Sequence, residues 1–191
     1  MIHLNNIVPF AKEPPEWSVF GSAHDFESLP QTHQDQIFFL NKEANDYLYE
    51  FLEYTKLLTG PIWNPFEKKN FKTIEEISLP DEEEVLKKWL YQRGIPFQNW
   101  VFLLPNHSKD PIYLTWKMVI KYSHRIFWGS DLLIFDKSAN WCLFFFHEDY
   151  LFFGKENLFD PEIGYEQMRA LYRKKEQFPG FNHPLLPKNK S

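Results

Sequence analysis

A single cysteine, seven glycines and no apolar run of membrane-spanning length already bound what this 191-residue chain can be. One thiol allows neither an intramolecular disulfide nor a cysteine-based zinc site, and such sparing use of cysteine fits a reducing, cytoplasmic compartment. So few glycines leave little material for phosphate cradles. The sequence holds no glycine-rich nucleotide loop, no nucleophile elbow, no His-Glu-x-x-His pair and no paired Cys-x-x-Cys, and it implies no cofactor. The opening MIHLNNIVPFAKEPPEW lacks the basic and apolar regions of a secretory signal. No uninterrupted apolar stretch approaches the roughly 20 residues of a membrane span, so no membrane association is expected. An internal repeat is lacking as well, which argues against a solenoid.

Excess positive charge is also missing. The formal net charge is −5, with −7 over residues 1–100 and +2 over residues 101–191. Neutralising phosphates dominates nucleic-acid affinity, so neither half suits a nucleic-acid partner. An acidic front half suits a basic protein partner instead, through electrostatic steering. What the chain has in abundance is buriable surface. Hydrophobic residues make up 43% and aromatic residues 19%, enough for one domain with its own core.

Patterning divides the chain into an extended arm (1–34), a globular core (35–176) and a Pro-rich tail (177–191). The arm holds Pro9, Pro14, Pro15 and Pro30, with a short strand at Trp17 to Phe20 whose two aromatic ends tie it down. Ile37 to Leu40 is strand-like. Asn41 then caps a helix to about Leu58, with Ala44, Tyr47, Leu48, Phe51, Thr55 and Leu58 on one side and Gly60-Pro61 as its stop. Residues 61–79 read as a connector with a helical turn at Thr73 to Ile77. A second helix runs from Pro80 to Arg93, its first turn carrying Asp81, Glu82, Glu83 and Glu84 and Gly94 following its end.

Trp100 to Leu104 and Ile112 to Leu114 follow as strands, and Thr115 caps a third helix from Trp116 to about Phe127. Three apolar segments, Leu132 to Phe135, Trp141 to Phe146 and Tyr150 to Phe153, predict an antiparallel meander. Its middle strand is apolar on both faces and so central. A last helix spans Pro161 to Glu176. The expected fold is α+β, an antiparallel meander of about four to five strands with about four helices around a single aromatic-rich core.

Three clusters could carry function. On the first helix Glu43, Asp46, Glu50 and Glu53 fall within about 80° of one another on a helical wheel, opposite the apolar stripe. Tyr49 and Tyr54 flank them. Carboxylates beside tyrosine make a docking surface for a Lys/Arg-rich partner, and the four acidic residues of the second helix extend it if the two helices pack side by side. On the third helix Lys117, Lys121, His124 and Arg125 form a basic face near Trp128, which could meet a phosphate or the acidic ridge of a second copy.

The third cluster is His147-Glu148-Asp149 between two apolar segments. It could supply metal ligands or an acid/base pair, with His124 or His107 joining it, or it could be a solvated hairpin loop. Cys142 and His147 are five residues apart, so in a regular strand they leave on opposite faces, and Cys142 reads as a small core side chain. The seven tryptophans read as core rather than as a ligand cage.

The span Leu114 to Gly154 carries a resemblance. Thr115-Trp116, Phe127-Trp128, Asp131-Leu132-Leu133-Ile134, Asn140-Trp141-Cys142-Leu143, His147-Glu148 and Phe152-Phe153-Gly154 form a Trp-strand-His-hairpin ending. It resembles that of cytoplasmic immunity proteins of bacterial polymorphic toxin systems, and of small bacterial α+β families of unknown function. The resemblance implies an inhibitor that binds its cognate toxin, often through an acidic surface that blocks a basic active site. It transfers no binding residue, so the ridge Glu43, Asp46, Tyr49, Glu50 and Glu53 rests on helical spacing alone. The expectation is thus a non-enzymatic inhibitor of a basic toxin or nuclease. A hydrolase using His147, Glu148 and Asp149, and an oligomeric structural module, are the alternatives.

Overall fold

Unbroken apolar runs along the strands β5 (Trp100–Pro105), β7 (Leu132–Phe135) and β8 (Trp141–Phe146) decide the architecture. Such strands are buried on both faces and must lie in the middle of a sheet with a layer on each side. A computed structural model, which describes residues 14–58, 63–66, 70–106, 111–158 and 161–180, shows this arrangement. With β3 (Ile37–Phe39), β4 (Phe71–Ser78), β6 (Ile112–Thr115) and β9 (Tyr150–Asn157) they form a seven-stranded sheet in the order β3-β6-β5-β7-β8-β9-β4. Every neighbouring pair is antiparallel. A separate two-stranded hairpin joins β1 (Trp17–Ser18) to β2 (Gly21–Ser22). The helices are α1 (Ala23–Glu27), α2 (Gln31–Gln34), α3 (Lys42–Tyr54), α4 (Glu83–Tyr91), α5 (Trp116–Lys121), α6 (Ser123–Ile126) and α7 (Pro161–Gln177). None of the described helices is long and apolar enough to cross a membrane.

The fold is α+β with an antiparallel sheet, as expected, but it has more strands and helices than the sequence suggests. Thr73 to Ile77 is part of strand β4, not a turn of helix. Phe71, Ile74 and Ile77 recur every third residue and mimic a helical face, yet Thr73, Ile74 and Ile77 are β-branched, and β9 offers a free edge that β4 fills from Phe71 to Ser78. The arm is not extended over its described part. Gly21 takes a positive φ of 96° where β2 leaves the hairpin turn, and Ser22 and Asp25 close a capping box on α1. Phe20 anchors this segment edge-on against Tyr122 at 5.5 Å, whereas Trp17 is 70% exposed.

The third helix is broken. Tyr122, at φ −110° and ψ 21°, separates α5 from α6, and its hydroxyl meets His33 Nδ1 at 2.6 Å. Thr115 does not cap it through its side chain; its Oγ1 donates to Gln36 Oε1 instead. The first helix ends at Tyr54, earlier than expected, where Thr55 Oγ1 donates to Phe51 O and Lys56 takes a positive φ of 62°. Its expected stop, Gly60-Pro61, lies outside the described residues. The second helix is shorter at both ends, with Glu82 at its N-cap and Gln92 at its C-cap.

The core is double rather than single. On β8, Trp141, Leu143 and Phe145 join one cluster while Cys142 and Phe144 join another, and β5 and β7 split in the same alternation. The first cluster is roofed by Leu86 and Leu90 of α4 and by Trp116, Met118, Val119 and Ile126 of α5 and α6. The second is roofed by Ala44, Leu48, Phe51 and Leu52 of α3, where Phe51 stacks on Phe135 at 6.0 Å.

Candidate functional site

Helix α3 is held from both ends and from below. Asn41 Oδ1 accepts from Ala44 N at 2.9 Å at the N-cap, and the apolar stripe is buried on the sheet. Its outward face therefore presents Asp46, Glu50 and Glu53 to solvent. The Glu43 side chain lies outside the described ones. The ion pairs among the described residues draw on Glu75, Glu83, Glu84, Asp131, Glu156 and Glu166, and none of them uses Asp46, Glu50 or Glu53. Tyr49 is half-buried against the second cluster, not fully presented beside the ridge. Burial pushes its hydroxyl above the usual range, with the nearby Trp63 indole opposing the shift. Helix α7 packs beside α3.

The two acidic helices do not share a surface. α3 covers one face of the sheet and α4 the other, so the sheet stands between the ridge and Asp81 to Glu84. The acidic start of α4 faces its own chain's basic helices instead. Glu83 pairs with Lys87 at 2.7 Å and lies 3.7 Å from His124 Nδ1. Its hydrogen bond from Lys87 holds the carboxyl below the usual range.

The basic face is also exposed, with Lys117, Lys121, His124 and Arg125 all open to solvent. Beside it lies a feature that sequence reading misses. Trp17 of the β1–β2 hairpin and Trp128 after α6, 70% and 81% exposed, line one cleft of about 570 Å³ together with His124, Arg125 and Asp25. The sequence reads its tryptophans as core, although Trp128 also stands next to the basic face there. The only local signal is that each stands next to small residues, Trp17-Ser18 and Trp128-Gly129-Ser130, where a core side chain is not expected.

His147, Glu148 and Asp149 are exposed in the turn between β8 and β9. His147 turns to Asp131, its N–H donating to Oδ1 at 2.9 Å and its Nδ1 lying 2.7 Å from the same oxygen. Asp149 takes a positive φ of 61°, and its carbonyl accepts from Leu79 N at 2.7 Å. Among the described residues no three His, Cys, Asp or Glu side chains gather as a metal site would require. His124 pairs with Glu83 rather than with this turn, and His107 lies outside the described residues. Cys142 is fully buried on the opposite side of β8, and burial pushes its thiol far above the usual range.

The turn works as a clasp. Asp131, at the start of β7, ties down the end of β8 through two bonds to one oxygen. Asp131→Ala is expected to cost about 1–2 kcal/mol in urea unfolding, whereas Glu148→Ala should stay within about 0.5 kcal/mol of wild type.

No protein-family model matches the chain, and no curated protein matches it.

Proposed function

We propose that the protein is a non-catalytic binding protein that neutralises a basic partner through the outer face of α3. Its partner would be a toxin or nuclease domain, in the manner of a bacterial immunity protein. The supporting observation is the trio Asp46, Glu50 and Glu53, exposed and without an ion pair among the described residues, on a helix fixed by its buried stripe. Carboxylates held this way keep their field for a partner and need no rearrangement to meet it.

The test begins with capture of a basic protein from native lysate and its release by salt. With that protein in hand, Glu50→Lys combined with Glu53→Lys is expected to lower the association rate by about tenfold or more at low ionic strength, with wild type and variant converging at high salt. Equal rates at low salt would remove α3 from the interface.

A second reading rests on the cleft. Two exposed indoles beside a guanidinium suit a small aromatic anion, the rings stacking and Arg125 meeting the charge. Adenosine monophosphate should then quench tryptophan fluorescence in the wild type, with a dissociation constant raised about tenfold or more in Trp128→Ala, one stacking contact being worth about 1–3 kcal/mol.

A further inference from the structure

The sheet ends in two edge strands among the described residues, and they are not alike. At one, β3 is only three residues long. At the other, β4 runs for eight residues, pairs with β9 along its inner side, and meets no other strand among the described residues. Proteins usually blunt such an edge with short strands, bulges or charges, because its free N–H and C=O groups template further pairing. β4 carries charges, but their placement also favours one particular partner.

Lys72 and Glu76 stand at equal distances on either side of Ile74, which is 40% exposed. We propose that β4 pairs antiparallel with β4 of a second copy about a two-fold axis at Ile74, giving one continuous sheet across a homodimer. In this register Lys72 faces the second copy's Glu76, Thr73 faces its Glu75, and Ile74 meets its equivalent. By symmetry each unlike pair occurs twice.

Because a residue opposes its own equivalent, the axis is perpendicular to the sheet, and each helical layer continues into the equivalent layer of the other copy. A shift of two residues one way places Lys72 against Ile74; the other way it sets Glu75 against Glu75. Like charges directly opposite one another destabilise a strand pair. The register at Ile74 alone satisfies the charges. Lys72 already pairs with Glu156 of its own chain at 2.7 Å, but both are exposed, and such a pair is too weak to withhold the ammonium from Glu76 of a neighbour.

The experiment is sedimentation of the full chain from micromolar to hundreds of micromolar, where the monomer mass is 23.1 kDa. Wild type is expected to reach twice that mass. Lys72→Glu and Glu76→Lys, each placing like charges opposite at two positions, should each raise the dimer dissociation constant about tenfold or more. The double variant, with the charges exchanged, should return to the wild-type constant. Since both side chains are exposed, the single variants should keep the wild-type circular dichroism, and the wild-type melting temperature at concentrations where the wild type is monomeric. A wild type that stays monomeric throughout would overturn the proposal. So would a dimer indifferent to either single change, or a double variant no tighter than the singles.

Discussion

Trp116→Ala should remove about 3–5 kcal/mol of unfolding free energy, the range for truncating a fully buried large aromatic side chain. Trp116 is wholly buried at the start of α5, sits edge-on to Trp141 at 5.7 Å, and belongs to the cluster that α4, α5 and α6 close over. The sheet below it is fixed by its ladder, so the vacated volume is refilled only in part. For a chain of this size the loss corresponds to a fall in melting temperature of roughly 6–20 °C. Trp116→Phe supplies the control. It keeps most of the ring and deletes an indole N–H that finds no acceptor among the described residues, so its stability should lie within about 1 kcal/mol of wild type. Urea unfolding with unchanged m-value reads both variants. A loss below about 1 kcal/mol in Trp116→Ala would mean that this layer is not closed.

Gly154→Ala is expected to destabilise the opposite face by about 1–3 kcal/mol through overpacking alone. Gly154 lies in β9 between Cys142 of β8 and Ile74 of β4, and an added Cβ would stand 2.5 Å from the Phe71 ring and 2.6 Å from Phe66. Phe71 cannot retreat, being buried and stacked on Phe66 at 5.2 Å. Its backbone conformation is ordinary, so the absence of a side chain here serves space and not flexibility. The diagnostic is coupling. Phe66→Leu should cost less in the Gly154→Ala background than alone, with an interaction energy on the order of 0.5–3 kcal/mol, since the shorter side chain makes room for the methyl group. Strict additivity would show that residues 63–66 do not lie over Gly154.

Where local pattern and tertiary fate coincide, the sequence is easy to read. Asn41 followed by an apolar stripe gives α3 because both cap and stripe are local, and the exposure of Asp46, Glu50 and Glu53 follows from the same spacing. The strands β7, β8 and β9 are legible because their runs of apolar, β-branched and aromatic residues are too short for helices and are separated by turn residues. The reading fails where an element's identity depends on its neighbour. β4 is half polar and spaced like a helix, and it is a strand because β9 needs a partner. Tyr49 looks like a rim residue on a helical wheel, yet the sheet and Trp63 partly enclose it.

The site shows the same division. Composition, spacing and the one cysteine determined a single α+β chain, a helix with an acidic outer face, and the inert place of Cys142. Tertiary structure decided that α3 and α4 lie on opposite sides of the sheet, so their carboxylates never form one surface. It also decided that Asp131 occupies His147, that Trp17 and Trp128 come to one cleft, and that β4 meets no strand but β9 among the described residues. The physical reason is one of range. A cap or a helical face is set by residues within a turn or two, whereas layer, edge and cleft depend on which distant segments share a sheet, and apolar burial drives that choice without encoding it in any single segment.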